Sequence, residues 1–388
     1  MIVIHDPSRC CGCSACQAVC PHDAVIMKED RLGFLYPEVD SDKCVGCGLC
    51  ESVCAFSSDL EEKGPVSESL SVEVHAARHK DNEVVGLSQS GGVFTALSDV
   101  VLNGGGVVYG AAFDDDFNVC HRRAATRLER DGFRGSKYVQ SCLEGVFRDV
   151  RADLKAGLPV MFCGTPCQVA GLKSYIPDGL QANLFTVDFV CHGVPSPAIW
   201  HDYVAYMGRR SKIDKVAFRD KSAAGWKVHL ESFTYDDGAV VTSETYRILF
   251  YKNIMLRHSC GVCPYDILNR RSDIVIGDFW GVDEALPSFD GAAGTSMLIC
   301  RTEKGRSIIE RAADSLEMRK TVISYDFMSG YNPNLVRPSR ICKDRVKLEE
   351  EYAEKGFLPV ARKWSDLGIR YRLWKVKVFF KRLFRIDI

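Results

Sequence analysis

The sequence predicts an α/β fold, with a large main domain of mixed α/β (α+β) type behind a small cysteine-rich one. Three observations predict it. From residue 72 onward short apolar runs alternate with longer amphipathic ones, the pattern of strands laid beside helices. Residues 57–71 (SSDLEEKGPVSESLS) are polar and acidic and carry Gly64-Pro65, the composition of a linker. Ahead of them, two cysteine runs share one spacing.

Those runs are Cys10, Cys13, Cys16, Cys20 followed by Pro21, and Cys44, Cys47, Cys50, Cys54. Each reads C-x2-C-x2-C-x3-C, the bacterial ferredoxin run, in which three thiolates grip one [4Fe-4S] cluster and the fourth crosses to the other. By that rule Cys10, Cys13, Cys16 and Cys54 hold one cluster, and Cys44, Cys47, Cys50 and Cys20 the second. A cubane needs its thiolates to arrive from one tight turn, and Gly12, Gly46 and Gly48 permit such turns. Cys11 does not keep the two-residue gap to Cys13 and reads as a spare thiol. Disulfides need an oxidising compartment, and residues 1–9 are too short and too polar for a secretion signal. Zinc sites come as separated C-x2-C pairs. Residues 1–56 therefore read as a two-cluster, bacterial-ferredoxin-like domain that moves electrons singly.

A chain of 388 residues holds far more than that domain, leaving a large core to be built over 72–345. With 50 basic and 51 acidic residues the net charge is −1, which points to no nucleic acid. No apolar stretch is long enough to span a bilayer, and 18 cysteines without a leader fit a reducing cytoplasm.

The main domain opens with alternation over Ser71 to His79, a strand. The loop Leu87 to Gly92 then leads into a helix from Val93 to Asn103, stopped by Gly104-Gly105-Gly106, and into the apolar strand Val107 to Phe113. The same grammar recurs twice. Pro159 to Cys163 is a strand, Gly164-Thr165-Pro166 a turn with proline at the first helical position, and Cys167 to Tyr175 a helix. Leu184 to Val190 is another strand, followed by Cys191 to Pro197 and a helix from Ala198 to Met207, after which Lys215 to Tyr246 is rich in strands. In such folds the functional loops lie at the carboxyl ends of the strands.

Four further cysteines sit in or after those loops: Cys167, Cys191 and the Cys260-Gly261-Val262-Cys263-Pro264 pair. Spacing leaves three possibilities open. They form a third iron-sulfur site, with Cys163 as a substitute ligand; they form a zinc knuckle completed by His258 or His192; or they are core cysteines, like Cys120, Cys142, Cys300 and Cys342.

Several ordered segments carry a family resemblance: Ser90 to Leu97, Gly135 to Gln140, Cys163 to Gln168, Cys260 to Pro264 and Ser272 to Asp278. Over most of Val72 to Leu298 the chain resembles the coenzyme F420 hydrogenase/dehydrogenase beta-subunit family, in variants with an amino-terminal two-cluster ferredoxin domain. The resemblance implies FAD and a third cluster on Cys167, Cys191, Cys260 and Cys263. It places Ser90, Gly91, Gly92 and Thr95, at a helix start, against the flavin pyrophosphate. Ser136, Lys137 and Tyr138 are placed on the same cofactor. His192, Tyr138, Asp188 and Asp278 are its proton-donor candidates.

The implied activity is an iron-sulfur flavoprotein oxidoreductase. It would carry single electrons from a ferredoxin or other low-potential donor to FAD, for two-electron reduction of a small organic substrate or an F420-like acceptor. The alternative is an electron-transfer subunit of a larger redox complex. Asp188 to Pro197 resembles bacterial members found with cell-surface polysaccharide genes, which suggests an anabolic role. The end of the chain, 346–388, reads as a helical, basic, amphipathic tail. From Arg370 to Ile388 it holds seven basic residues and one acidic, a composition suited either to packing on the domain or to peripheral membrane contact.

Overall fold

In the computed structural model the described residues are 1–62, 64, 66–289 and 291–368. The tail from Arg370 to Ile388 lies outside them. Thirteen strands are formed among the described residues. In the first domain β1 (Val25–Glu29) and β2 (Leu35–Val39) make an antiparallel hairpin, with Val25 opposite Val39.

In the main domain β3 (Ser71–His79), β4 (Val107–Phe113), β5 (Val119–Ala124), β6 (Val160–Gly164) and β7 (Leu184–Phe189) precede a separate antiparallel sheet. That sheet holds β8 (Ile213–Ala217), β9 (Glu231–Tyr235) and β10 (Val240–Ser243). The large sheet is completed by β11 (Ile274–Asp278), β12 (Ser296–Cys300) and β13 (Leu316–Ser324).

The large sheet has eight strands in the order β13-β3-β12-β11-β7-β6-β4-β5. Its centre, β4 to β6 to β7 to β11, is parallel. The flanking pairs are antiparallel. The parallel strands are near-continuous apolar runs because helices cover both faces. Helix Val93–Asn103 buries Val93, Ala96, Leu97, Val100 and Val101 on one face. Helix Pro166–Tyr175 covers the other with Val169 and Leu172. The latter starts where the sequence demands: Thr165 caps the amide of Gln168, the Gln168 side chain returns the bond, and Pro166 occupies the first turn.

The expected linker differs from the structure at its front. Residues 55–62 are a helix, Ala55–Glu62, and its Asp59 is buried in an ion pair with Arg271. An acidic run reads as solvated until a distant cation is known to meet it.

Nor does the first domain stand apart. The turn of its hairpin drives Leu32 and Phe34 into the aromatic core around Trp200, Tyr203, Phe218 and Tyr246, where both are fully buried. Leu32 O accepts from Ser196 Oγ at 2.6 Å and from Ala198 N at 3.1 Å. After residue 345 come helices Arg345–Lys355 and Phe357–Trp364, which return to the same core through Leu348, Phe357 and Val360. No helix among the described residues is long and apolar enough to cross a membrane.

Candidate functional site

The carboxyl ends of β6, β7 and β11 open into a cavity of about 390 Å³. Such a crevice is where parallel α/β sheets bind ligands. Its lining includes Ser90, Gly92, Ser136, Lys137, Tyr138, His192 and Asp278, so most of the resemblance-derived residues converge there.

Gly91, Thr95 and Asp188 are not among the lining residues. Gly91 is a packing glycine: its amide donates to Ser296 Oγ at 2.9 Å, and a Cβ would stand 2.7 Å from the Ser296 amide nitrogen. Thr95 lies beneath the loop, with Oγ1 accepting from Arg134 Nε at 3.2 Å. Asp188 is fully buried and paired with Arg270 at 2.8 Å. Desolvation raises its pKa although Arg270 opposes it, and a carboxylate locked in that pair is poorly placed to give protons to the cavity.

The remaining groups have defined partners. Lys137, half-buried, donates to the carbonyls of Gly132 and Arg134 at 3.1 Å and of Gly135 at 3.2 Å, and burial holds its pKa down to about 8. Ser90 Oγ and Ser296 Oγ are 2.7 Å apart. Asp278 pairs with Arg219, whose Nη1 also donates to Tyr138 Oη at 3.4 Å. His192 Nε2 meets Asn253 Oδ1 at 2.6 Å, and burial lowers its pKa.

Sequence reasoning missed several lining groups. Arg219 lies 5.3 Å from the Trp280 ring, which stacks on Trp226 at 4.9 Å. His121 faces the Cys163 carbonyl through Nε2 at 3.0 Å, so that nitrogen carries the proton and Nδ1 accepts from Ser141 Oγ at 2.8 Å. Burial drops its pKa to about 4. Neither residue sits in a run with a spacing signal.

Below the large cavity lies a smaller one of about 40 Å³, bordered by Cys167, Cys191, Cys260, Cys263 and Cys11. The loop Cys191 to Val194 borders both cavities. Burial pushes the thiols of Cys260 and Cys263 up to about 11 and about 12. Cys167 is held down to about 7, chiefly by a hydrogen bond from Cys11.

Four sulfurs around one buried hollow suit a cubane, which takes one thiolate at each of four irons. Among the described residues no group of three or more His, Cys, Asp or Glu is arranged to hold a metal ion. His258, the zinc alternative, is turned to Arg345 at 2.7 Å. Cys163 does not border the small cavity; its carbonyl holds His121. Cys11, read from spacing as a spare thiol, is buried and within hydrogen-bond reach of Cys13 and Cys167.

In the first domain the sulfurs of Cys10, Cys13, Cys16 and Cys54 are mutual neighbours, as the crossing rule requires. Cys20 and Cys50 share a small apolar cluster with Ile2 and Val25, and accept from the amides of Ala24 and Ile2, each at 3.3 Å.

Residues 158–323 match the family of the C terminus of the coenzyme F420 hydrogenase/dehydrogenase beta subunit. This region belongs to that beta-subunit family. Residues 6–58 match the 4Fe-4S dicluster domain, which makes the chain an iron-sulfur redox protein. The beta-subunit region spans β6, β7 and β11 with Cys167, Cys191, Cys260 and Cys263, the four cysteines that the main domain supplies to the small cavity. No curated protein matches. One chain of the F420-reducing [NiFe] hydrogenase complex from Methanosarcina barkeri aligns with a TM-score of 0.47 at 20% identity, over 78% of this chain and 93% of that one.

Proposed function

We propose that this chain is an electron-transfer component of a larger redox assembly, joining a one-electron carrier to a two-electron acceptor. Cys167, Cys191, Cys260 and Cys263 would hold a third [4Fe-4S] cluster, and the 390 Å³ cavity a flavin. When bound, such groups pass single electrons and hold two, respectively. The observation that carries the reading is the loop Cys191 to Val194, one wall of which borders the four-cysteine hollow and the other the large cavity.

The residues have separate tasks in this reading. Gly92, at φ +82°, and Ser90 keep the start of helix Val93–Asn103 open to an anionic ligand. Lys137, with its lowered pKa, supplies a cation at neutral pH, and Arg219 pairs with Asp278, opposing the burial that raises its pKa, while lying over Trp280. Tyr138 and His192 are among the groups that can hold a proton at the cavity wall. A stand-alone reductase with its own organic substrate is the second reading, favoured by cavity walls that this chain supplies by itself; nothing in the comparisons points to polysaccharide synthesis.

The test is the reduction of bound flavin by a reduced ferredoxin, followed anaerobically in the unaltered chain and in Cys263→Ala. Loss of flavin reduction, with the iron of the first domain retained, is expected. Equal rates in both would refute the proposed third cluster. Gentle purification from the native host separates the two readings: a stable redox partner supports the larger assembly, and turnover by the isolated chain the reductase.

A further inference from the structure

Arg257 precedes Cys260 by three residues in the main domain, yet its guanidinium lies inside the first one. It is fully buried. Its Nε donates to Cys10 O at 2.8 Å, Nη2 donates to Leu35 O at 2.8 Å and faces Cys10 Sγ at 3.5 Å, and Nη1 donates to Gln140 Oε1 at 3.0 Å. The ring of Tyr36 lies 4.1 Å away. Gln140 in turn donates to Cys11 O at 3.2 Å.

Among the described residues no carboxylate pairs with this cation. A buried guanidinium without a counter-charge is costly, because its Born penalty is met only by neutral carbonyls and a ring. Cys11 and Cys260 lie within electrostatic reach of it, but the sulfur that its guanidinium touches is that of Cys10, and through it the cluster of Cys10, Cys13, Cys16 and Cys54.

We propose that Arg257 is the counter-ion of that inner cluster and sets its reduction potential above that of the outer cluster of Cys44, Cys47, Cys50 and Cys20. A four-thiolate cluster is anionic and gains one negative charge on reduction, so a fixed cation stabilises the reduced form more. Solvent exposure of the outer cluster works against this difference, and the direct hydrogen bond to sulfur decides the order. One electron leaves the outer cluster, which is oxidised, and enters the inner, which is reduced; no proton or bond moves. Electrons are thereby drawn from the exposed end of the chain toward Cys167 and the cavities. The inference rests on the reading of both cysteine runs as cluster sites.

The experiment is an EPR-monitored redox titration of the anaerobic full chain, with Cys47→Ser and Cys10→Ser marking the outer and inner signals. In the unaltered chain the inner cluster is expected to reduce first; the opposite order overturns the proposal. In Arg257→Gln the reduced-to-oxidised ratio of the inner cluster at the original midpoint should fall at least tenfold, about 59 mV for one electron. The outer cluster should not move, and Arg257→Lys should recover part of the shift. An unmoved inner potential with full iron content overturns the proposal. Fewer than about eight irons in the unaltered chain overturns the cluster reading itself.

Discussion

The two cysteine runs have the same spacing and meet opposite surroundings. Gly12 and Gly46 occupy equivalent positions, with φ +71° and +69°. A Cβ on Gly12 would stand 2.6 Å from Gln140 Nε2 and 2.8 Å from Arg257 Nη1, whereas around Gly46 nothing lies within 4 Å. Cys11 is 5% exposed and its counterpart Val45 64%; Ala15 is 1% exposed and its counterpart Leu49 41%. Cys13 abuts Gly171 of helix Pro166–Tyr175, while Cys47 faces solvent. A repeat that is symmetric in sequence is thus polarised by what docks on it. The main domain buries one site and leaves the other open to solvent; in the proposed reading the first is an interior relay and the second the end that an external carrier approaches.

The largest expected effect comes from closing the contact between the two domains. In Gly171→Val the new side chain would meet Cys13 Sγ, 2.6 Å from the Cβ position. Overpacking should cost about 3 kcal/mol and release about four irons per chain, all from the inner run. Iron analysis and a denaturation curve check this, and unchanged iron would show that the docking does not constrain the inner run.

The pH dependence tests the same side. His121 falls from the ordinary 6.5 to about 4 because burial disfavours the imidazolium. The unfolded chain therefore binds more protons in this window, and stability present above pH 6.5 is lost as the pH falls toward 4. Between pH 7 and 5 the loss is about 2 kcal/mol. It acts on Ser141, the neighbour of the Gln140 that covers the inner loop. His121→Gln should flatten the profile by that amount in anaerobic urea titrations; an unaltered profile contradicts the buried neutral imidazole.

The equivalent glycines give a direct comparison of smaller size. Gly46→Ala should cost about 1 kcal/mol, for backbone strain alone, and Gly12→Ala about 1–2 kcal/mol more, because the methyl group must also displace Gln140 and Arg257. Equal costs would mean that the inner loop is as free as the outer. Least of all, Val45→Ser should leave stability within about 0.5 kcal/mol. A larger loss would mean that the outer face is covered.

Much of this was legible in the sequence, because the signals were local. The strands at Ser71–His79 and Val107–Phe113 and the helix Val93–Asn103 follow from alternation, glycine stops and caps within a few residues. The crossing of Cys54 into the first run follows from spacing. What was hidden depends on partners far along the chain. Asp59 looked like linker because Arg271 was 212 residues away. Arg257 carried no motif, its contact with Cys10 closing over 247 residues. Gly91 and Thr95 stand in the cavity's motif but bond to the side chains of Ser296 and Arg134 beneath it, since a loop's shape needs residues on both sides and sequence does not say which face each takes. Asp188, at a strand end, reads as a proton donor, but Arg270, 82 residues along the chain, pairs with it away from the cavity lining.

The most direct measurement is iron, acid-labile sulfide and flavin per chain on anaerobically purified protein, with EPR after dithionite reduction. About twelve irons and one flavin are expected, for clusters on the two runs and on the small cavity beside an occupied large one. About eight irons without flavin would contradict the account, leaving a two-cluster domain docked on a fold that carries no electrons further.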